Sequence, residues 1–126
     1  RCEMGIRPAT FVDKPWGHEE IFAQTDRYVG KILVIKAGEA LSLQYHERKE
    51  ETLRVLHGTV QFVAGDNADE LENHVLEAGA VFHVAPRCLH RMVAVTDCSL
   101  LEVSTPEIDD VVRLDDRYGR EGTSEP

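Results

Sequence analysis

Four polar side chains in two separate segments of the sequence have the types and the spacing of metal ligands. Because side chains alternate along a strand, Gln44 and His46 lie on the same face of one predicted strand. Glu51 opens the next apolar run, and a tight return between adjacent strands would bring its carboxylate to the same point. His90 follows a turn that contains Pro86 and begins a later strand. Imidazole, carboxylate and amide oxygen together suit a divalent metal ion.

The elements that must position these residues are short strands. From residue 29 onward the sequence consists of short runs that are β-branched or that alternate apolar and polar residues. Turns rich in Gly, Pro, Asn and Asp separate these runs, which is typical of an antiparallel sandwich or barrel. The segment 107–116 has some helical character, with a turn or a terminal arm as equal alternatives. The predicted strands are 29–37, 40–46, 52–56, 59–64, 74–76, 80–85, 91–95 and 100–104.

Length and charge restrict the remaining possibilities. A chain of 126 residues is typical of one domain, here divided into an N-terminal arm (1–13), a barrel (14–120) and a tail (121–126). The net charge of −9 argues against a nucleic-acid partner. No apolar run approaches the roughly 20 residues of a membrane span, and residues 1–10 lack the apolar centre of a signal peptide. We therefore expect a cytoplasmic protein, with its three cysteines as reduced thiols.

The two candidate ligand segments resemble the two sequence motifs of the cupin superfamily. The first motif corresponds to residues 38–58 and contains His46 and Glu51, and the second corresponds to residues 79–90. Arg48 stands where many cupins have a second histidine, and Cys88 replaces the glycine that follows the motif proline. The resemblance implies a cupin double-stranded β-helix, that is, an all-β jelly-roll barrel in a single domain.

A closer resemblance extends over most of the chain. Four blocks are similar to those of the cupin phosphomannose isomerases, including the C-terminal domain of bifunctional mannose-phosphate guanylyltransferases. They are Lys-Pro-Trp-Gly at 14–17, Leu-Ser-Leu-Gln-Tyr-His at 41–46, Asp-Val-Val-Arg at 110–113 and Asp-Arg-Tyr-Gly-Arg at 116–120. By this resemblance one divalent ion (Zn²⁺, Mn²⁺, Fe²⁺, Ni²⁺ or Co²⁺) is bound by Gln44, His46, Glu51 and His90.

The activity that this resemblance implies is a metal-dependent isomerisation of a sugar phosphate such as mannose 6-phosphate, through an enediol. The group that moves the proton has three candidates: a hydroxide on the metal, His83 or Glu102. Arg48 lies two residues beyond His46, so a persisting strand would aim its guanidinium into the pocket, where it could hold a carboxylate or a phosphate. A surface position for Arg48 is an equal alternative.

Phosphate recognition rests on Arg or Lys side chains, so an acidic protein of this kind must gather cations near its metal. We expect Arg48, Lys31, Arg113 and Arg120 to contact the substrate, with solvated surface positions as the alternative. Arg113 and Arg120 belong to a closing segment that could instead form part of a dimer contact.

Other functions are compatible with the same residues. One alternative is a small metal cupin that acts as a dioxygenase or as a lyase. Another is a barrel that binds a sugar or another metabolite without catalysis. In each case the partner is a small molecule, and exposed sheet edges and apolar outer faces favour a homodimer.

Overall fold

The computed structural model describes residues 2–124, and within that range the chain forms twelve β-strands and no helix. None of the described residues forms a helix that is long and apolar enough to cross a membrane. The strands are β1 (Thr10–Lys14), β2 (Gly17–Gln24), β3 (Val29–Ile35), β4 (Leu43–His46), β5 (Glu51–His57), β6 (Val60–Gly65), β7 (Glu72–Leu76), β8 (Val81–Val84), β9 (Leu89–Ala94), β10 (Cys98–Ser104), β11 (Val111–Asp115) and β12 (Gly122–Ser124).

The strands build two six-stranded antiparallel sheets. The first sheet has the order β1-β2-β3-β10-β5-β8, and the second has the order β12-β11-β4-β9-β6-β7. Consecutive strands such as β4 and β5, or β8 and β9, lie in different sheets, so the chain crosses repeatedly between the two layers. This arrangement confirms the predicted all-β jelly-roll architecture.

The core lies between the two sheets. Strands with alternating burial turn one apolar row inward, as in β6, where Val60, Phe62 and Ala64 are buried. Leu53 and Leu100 of the first sheet are also inaccessible to solvent. Full burial of a side chain of this size stabilises the fold by about 1.5–3 kcal/mol, so the packing of the two sheets holds the site in place.

The N-terminal arm was predicted to end at residue 13, but β1 begins within it, at Thr10, and pairs with β2. β2 lacks the apolar pattern that predicts a strand, because its start, Gly-His-Glu-Glu, has a strongly polar composition. Glu19 of β2 is nevertheless buried, and its carboxylate lies 3.3 Å from the Lys31 ammonium of β3. This buried pairing makes a charged residue compatible with an inward position.

The segment 107–116 contains a turn followed by β11 and no helix. Its β-branched Val111 and Val112 favour a strand, and β11 pairs with β4. The predicted tail contributes β12, which pairs with β11. Residues 1, 125 and 126 of the predicted arm and tail lie outside the described residues.

Candidate metal and substrate site

Three side chains from the two sheets meet in the space between them. His46 ends β4 and His90 lies in β9, both in the second sheet, whereas Glu51 begins β5 in the first sheet. The Glu51 Oε1 atom lies 3.9 Å from His46 Nε2 and 3.3 Å from His90 Nε2. The three side chains are buried, and their potential ligand atoms all lie within 4.8 Å of one another. The group could hold a metal ion.

The other ring nitrogen of each histidine is engaged by the backbone. His46 Nδ1 donates to the carbonyl oxygen of Asp110 at 3.0 Å, and His90 Nδ1 donates to that of Cys88 at 2.9 Å. Since a carbonyl only accepts, these contacts place a ring proton on each Nδ1 atom, so in the neutral form of each ring the lone pair lies on Nε2. Hydrogen bonds of this kind orient metal-binding histidines in proteins. The Phe62 ring, stacked 6.1 Å from the His90 ring, supports the same orientation.

The electrostatics of this group suit a cation. Within residues 2–124 no group donates a hydrogen bond to the buried His90 Nε2 atom, which faces a carboxylate oxygen. Burial lowers the pKa of His46 to about 4, although the Glu51 carboxylate opposes the shift, so the imidazole is neutral at pH 7. A neutral imidazole and a carboxylate that present lone pairs to one point are the protonation states that metal binding requires.

Gln44, the fourth predicted ligand, lines the same cavity and is the register partner of His90. Its amide oxygen accepts a hydrogen bond of 2.6 Å from Ser42 Oγ, and its Nε2 donates to His46 Nε2 at 3.5 Å. In this orientation the nitrogen, and not the oxygen, faces the histidines. Coordination by Gln44 therefore requires a half-turn of the amide, which exchanges two ends of nearly identical shape.

Lys49 is a buried residue of this site that the sequence analysis missed. Its ammonium lies 3.1 Å from Glu51 Oε2 and 3.1 Å from Glu102 Oε2. Burial alone would lower the pKa of Lys49, but the two carboxylates raise it above its ordinary value. Burial would likewise raise the pKa of Glu51, yet the charge of the Lys49 ammonium brings it well below its usual range. Lys49 thus holds one oxygen of Glu51 while the other faces the histidines.

Glu102 lines the cavity and is buried in β10. Burial and the nearby charge of Glu51 raise the pKa of the Glu102 carboxyl, and Lys49 and Lys31 oppose part of that effect. The other predicted proton-transfer residue lies elsewhere. The His83 side chain is 54% exposed on the outside of β8, where its Nε2 lies 2.7 Å from the Glu50 carboxylate. His83 is not among the residues that line the cavity.

The prediction that Arg48 enters the pocket assumed a strand that continues past His46, and this assumption is wrong. β4 ends at His46, and Arg48 lies in an exposed bend outside the cavity. The Asp110 carboxylate holds this bend by accepting the backbone N–H groups of Glu47, Arg48 and Lys49 at 2.7–3.2 Å. Although desolvation raises the pKa of Asp110, these donors bring it below its ordinary value. The alternation of faces does not survive a bend, so Lys49 turns inward instead.

The other three predicted substrate-binding cations all line the cavity that Gln44, His46 and Glu51 also line. Lys31 and Arg113 are buried on the inner faces of β3 and β11. Arg120 is held by two contacts to the Asp116 carboxylate, at 2.9 and 3.1 Å. Lys14 of β1 adds a fourth cation, which the sequence analysis did not single out although it belongs to the Lys-Pro-Trp-Gly block. Burial lowers the pKa of Lys14.

Comparison with known proteins places the chain in a family. The family model described as "Mannose-6-phosphate isomerase C-terminal" matches residues 6–116. The chain belongs to this family. One relative, the mannose-1-phosphate guanylyltransferase of Escherichia coli, is 36% identical over 115 residues, which are 86% of this chain and 23% of the relative. The chain thus spans about a quarter of the length of that curated relative.

Solved structures confirm the cupin fold. KdgF from Halomonas sp. superposes with a TM-score of 0.69 at 20% identity, over 78% of this chain and 88% of its own. An RmlC-like cupin protein from Desulfovibrio desulfuricans superposes with a TM-score of 0.59 at 26% identity, over 76% of this chain and 82% of its own. The chain is therefore a cupin domain related to the C-terminal part of the mannose-phosphate enzymes, as its four sequence blocks indicated.

Proposed function

We propose that this domain is a metal-dependent isomerase of a phosphorylated aldose or ketose, with mannose 6-phosphate as the first substrate to test. One observation carries the proposal: three of the four candidate metal ligands, Gln44, His46 and Glu51, line a single cavity together with four cationic side chains, in a protein whose net charge is −9. The cavity wall carries these four cations against three carboxylates, Glu19, Glu51 and Glu102. This small excess of cations, in a protein of net negative charge, is suited to an anionic substrate. The family described above supports the sugar phosphate as that anion.

His46, Glu51 and His90 would hold the metal, with Gln44 as a fourth ligand after rotation of its amide. When bound, the metal supplies a Lewis acid that stabilises negative charge on the substrate oxygens in the transition state. Arg113 and Arg120 would bind the phosphate, since guanidinium groups match its geometry. Because the same cavity is lined by Glu51 and Glu102, a phosphate bound in this way would leave the sugar carbons within the cavity that holds these carboxylates.

Glu102 is the side chain best placed to move the proton. In an aldose–ketose interconversion a carboxylate removes the proton of the carbon beside the carbonyl, which leaves an enediolate. The hydroxyl proton passes to the former carbonyl oxygen and the carboxyl returns its proton to the adjacent carbon, so no external reagent is consumed. Glu102 lines the cavity, whereas the exposed His83 does not. Lys49 and Lys31, whose charges both act on Glu102, would stabilise the anionic form of the carboxyl.

The test is an interconversion assay by ³¹P NMR, with mannose 6-phosphate and fructose 6-phosphate as substrates and protein loaded with each of the candidate metals. We expect His90→Ala to lose the stoichiometric metal that mass spectrometry measures in the parent protein. Glu102→Gln should keep the metal and lose turnover by about 10²–10⁴-fold. His83→Gln is the matched control and should retain both.

Saturable binding of the sugar phosphate without turnover would contradict the isomerase proposal and would indicate a barrel that binds the sugar phosphate without catalysis. Substrate-dependent uptake of O₂ would replace it with a dioxygenase. Stoichiometric metal in the His90→Ala variant would show that the site is misplaced.

A further inference from the structure

The outer face of the first sheet carries an ordered row of side chains that crosses all six strands. The register pairs give its sequence from one edge to the other as Phe11, Glu20, Ile32, Leu101, Arg54 and Val81. These side chains point outward, because neighbours on the same strands, such as Leu33, Leu53 and Leu100, are buried in the core. Phe11 and Val81, at the two edges, are 64% and 61% exposed.

The row is complementary to its own reverse. Read from either edge, it runs apolar, charged, apolar, and the charged member is acidic in one direction and basic in the other. A two-fold axis parallel to the strands, between β3 and β10, places Glu20 of one copy opposite Arg54 of a second. The same axis places Ile32 opposite Leu101. A two-fold axis across the strands would instead oppose identical charges, so the charges select one of the two ways of stacking the faces.

A second row on this face fits the same axis. Phe22 lies at an irregularity of β2, and its ring covers the outer side of Gly30, where an added Cβ would lie 2.6 Å from Phe22 Cζ. Val103 of β10 is the register partner of Gly30. Phe22 and Val103 are each 50% exposed, and the axis between β3 and β10 brings the ring of one copy onto the valine of the other.

We propose that this outer face, defined by Phe11, Phe22, Glu20, Ile32, Leu101, Val103, Arg54 and Val81, is the interface of a homodimer in which two first sheets pack face to face. Aligned packing of twisted sheets is a common way to bury such faces. Strands about 4.8 Å apart and about 23 Å long give the face a projected area on the order of 500 Å². The relief of the side chains raises the accessible area toward the ~800 Å² per partner of a stable interface.

The ionic contacts strengthen the case for a second copy over an unrelated partner. Arg54 is exposed and forms no ion pair with any residue in the range 2–124. Glu20 is partly exposed, and its carboxylate has a neighbour in His18 at 3.2 Å. The proposed dimer contains two symmetric Glu20–Arg54 pairs, because a two-fold contact repeats every interaction.

The experiment is sedimentation equilibrium of the whole chain over a concentration series, with circular dichroism to verify folding. We expect a dimer for the parent protein. Glu20→Arg and Arg54→Glu, taken singly, should each raise the dimer dissociation constant about tenfold or more, because each opposes like charges. The double variant Glu20→Arg/Arg54→Glu restores opposite charges and should dimerise like the parent. Glu70→Arg, an exposed reversal in the loop between β6 and β7 of the other sheet, is the matched control.

A monomeric parent protein across the series would overturn the interface and would leave the face to another occupant. A dimer that resists both single reversals, or a charge-swapped double variant that stays monomeric, would equally overturn it. These outcomes are independent of the isomerase activity, because the row lies on the outside of the sheet and the cavity lies between the sheets.

Discussion

Replacement of Lys49 by methionine should destabilise the metal-free protein more than any change of an exposed lysine. The methionine side chain would preserve most of the apolar stem but would lack the ammonium that lies 3.1 Å from both the Glu51 and the Glu102 carboxylates. Two buried acidic groups would then face each other without this counterion. Removal of one partner from a buried ion pair costs about 3–5 kcal/mol.

Lys31 compensates part of the lost charge, because it also acts on Glu102, so we expect a loss near the lower end of that range, about 3 kcal/mol. For a chain of this length 1 kcal/mol corresponds to about 4 °C in melting temperature, so the expected decrease is about 12 °C. The assay is urea unfolding at pH 7.5 after treatment with a chelator, since bound metal would add its own stabilisation. Lys49→Arg, which retains the charge, should lose less than half as much.

Two further variants separate charge from packing. Lys36→Met makes the same substitution at an exposed position, and it should change the free energy of unfolding by no more than about 0.5 kcal/mol. Lys49→Met/Glu102→Gln removes one of the two facing carboxylates, so it should be more stable than Lys49→Met alone. The electrostatic reasoning is refuted if Lys49→Met costs no more than Lys36→Met, or if the double variant is as unstable as the single one.

Two other predictions concern pH and backbone strain. Burial lowers the pKa of His46 from 6.5 to about 4, so the unfolded chain gains this proton first. The contribution of neutral His46 to the free energy of unfolding is complete above pH 6.5, and about 3 kcal/mol of it is lost as the pH falls to about 4. Urea titrations of the metal-free parent protein and of His46→Leu at several pH values will test this, and the free energy of unfolding should depend more steeply on pH in the parent. Arg87 has a φ of 68°, in the left-handed region that favours glycine. Arg87→Gly should therefore raise the free energy of unfolding by about 0.5–1 kcal/mol. An unchanged or lower value in thermal melts would contradict this assignment of strain.

Arg87 also explains how the second motif accommodates Cys88 in place of the usual glycine. The left-handed conformation falls on Arg87, whose N–H donates to the His46 carbonyl oxygen at 2.7 Å. Cys88 is then free to carry a side chain, and its carbonyl oxygen accepts the His90 ring proton at 2.9 Å. The departure from the motif therefore leaves the orientation of His90 intact.

The sequence by itself determined the all-β architecture and predicted three side chains that the fold brings together, His46, Glu51 and His90. Side chains in a strand repeat with a period of two, so the shared face of Gln44 and His46 could be inferred from spacing alone. Turn residues marked most strand ends from residue 29 onward for the same local reason. The four sequence blocks, in their order along the chain, then indicated the family. They did not predict the orientation of the Gln44 amide.

Only the tertiary structure decided which polar residues surround those ligands. Arg48 and Lys49 are adjacent in a bend, where the alternation of faces no longer applies. The Asp110 carboxylate, which is distant in sequence, accepts the backbone N–H groups of both residues, and in this bend the Lys49 side chain is buried while that of Arg48 is exposed. Glu102 and His83 lie in strands on either side of β5, and local sequence does not specify which face of each strand meets the cavity. Long-range pairing sets that choice, because register between strands distant in sequence depends on the whole sheet.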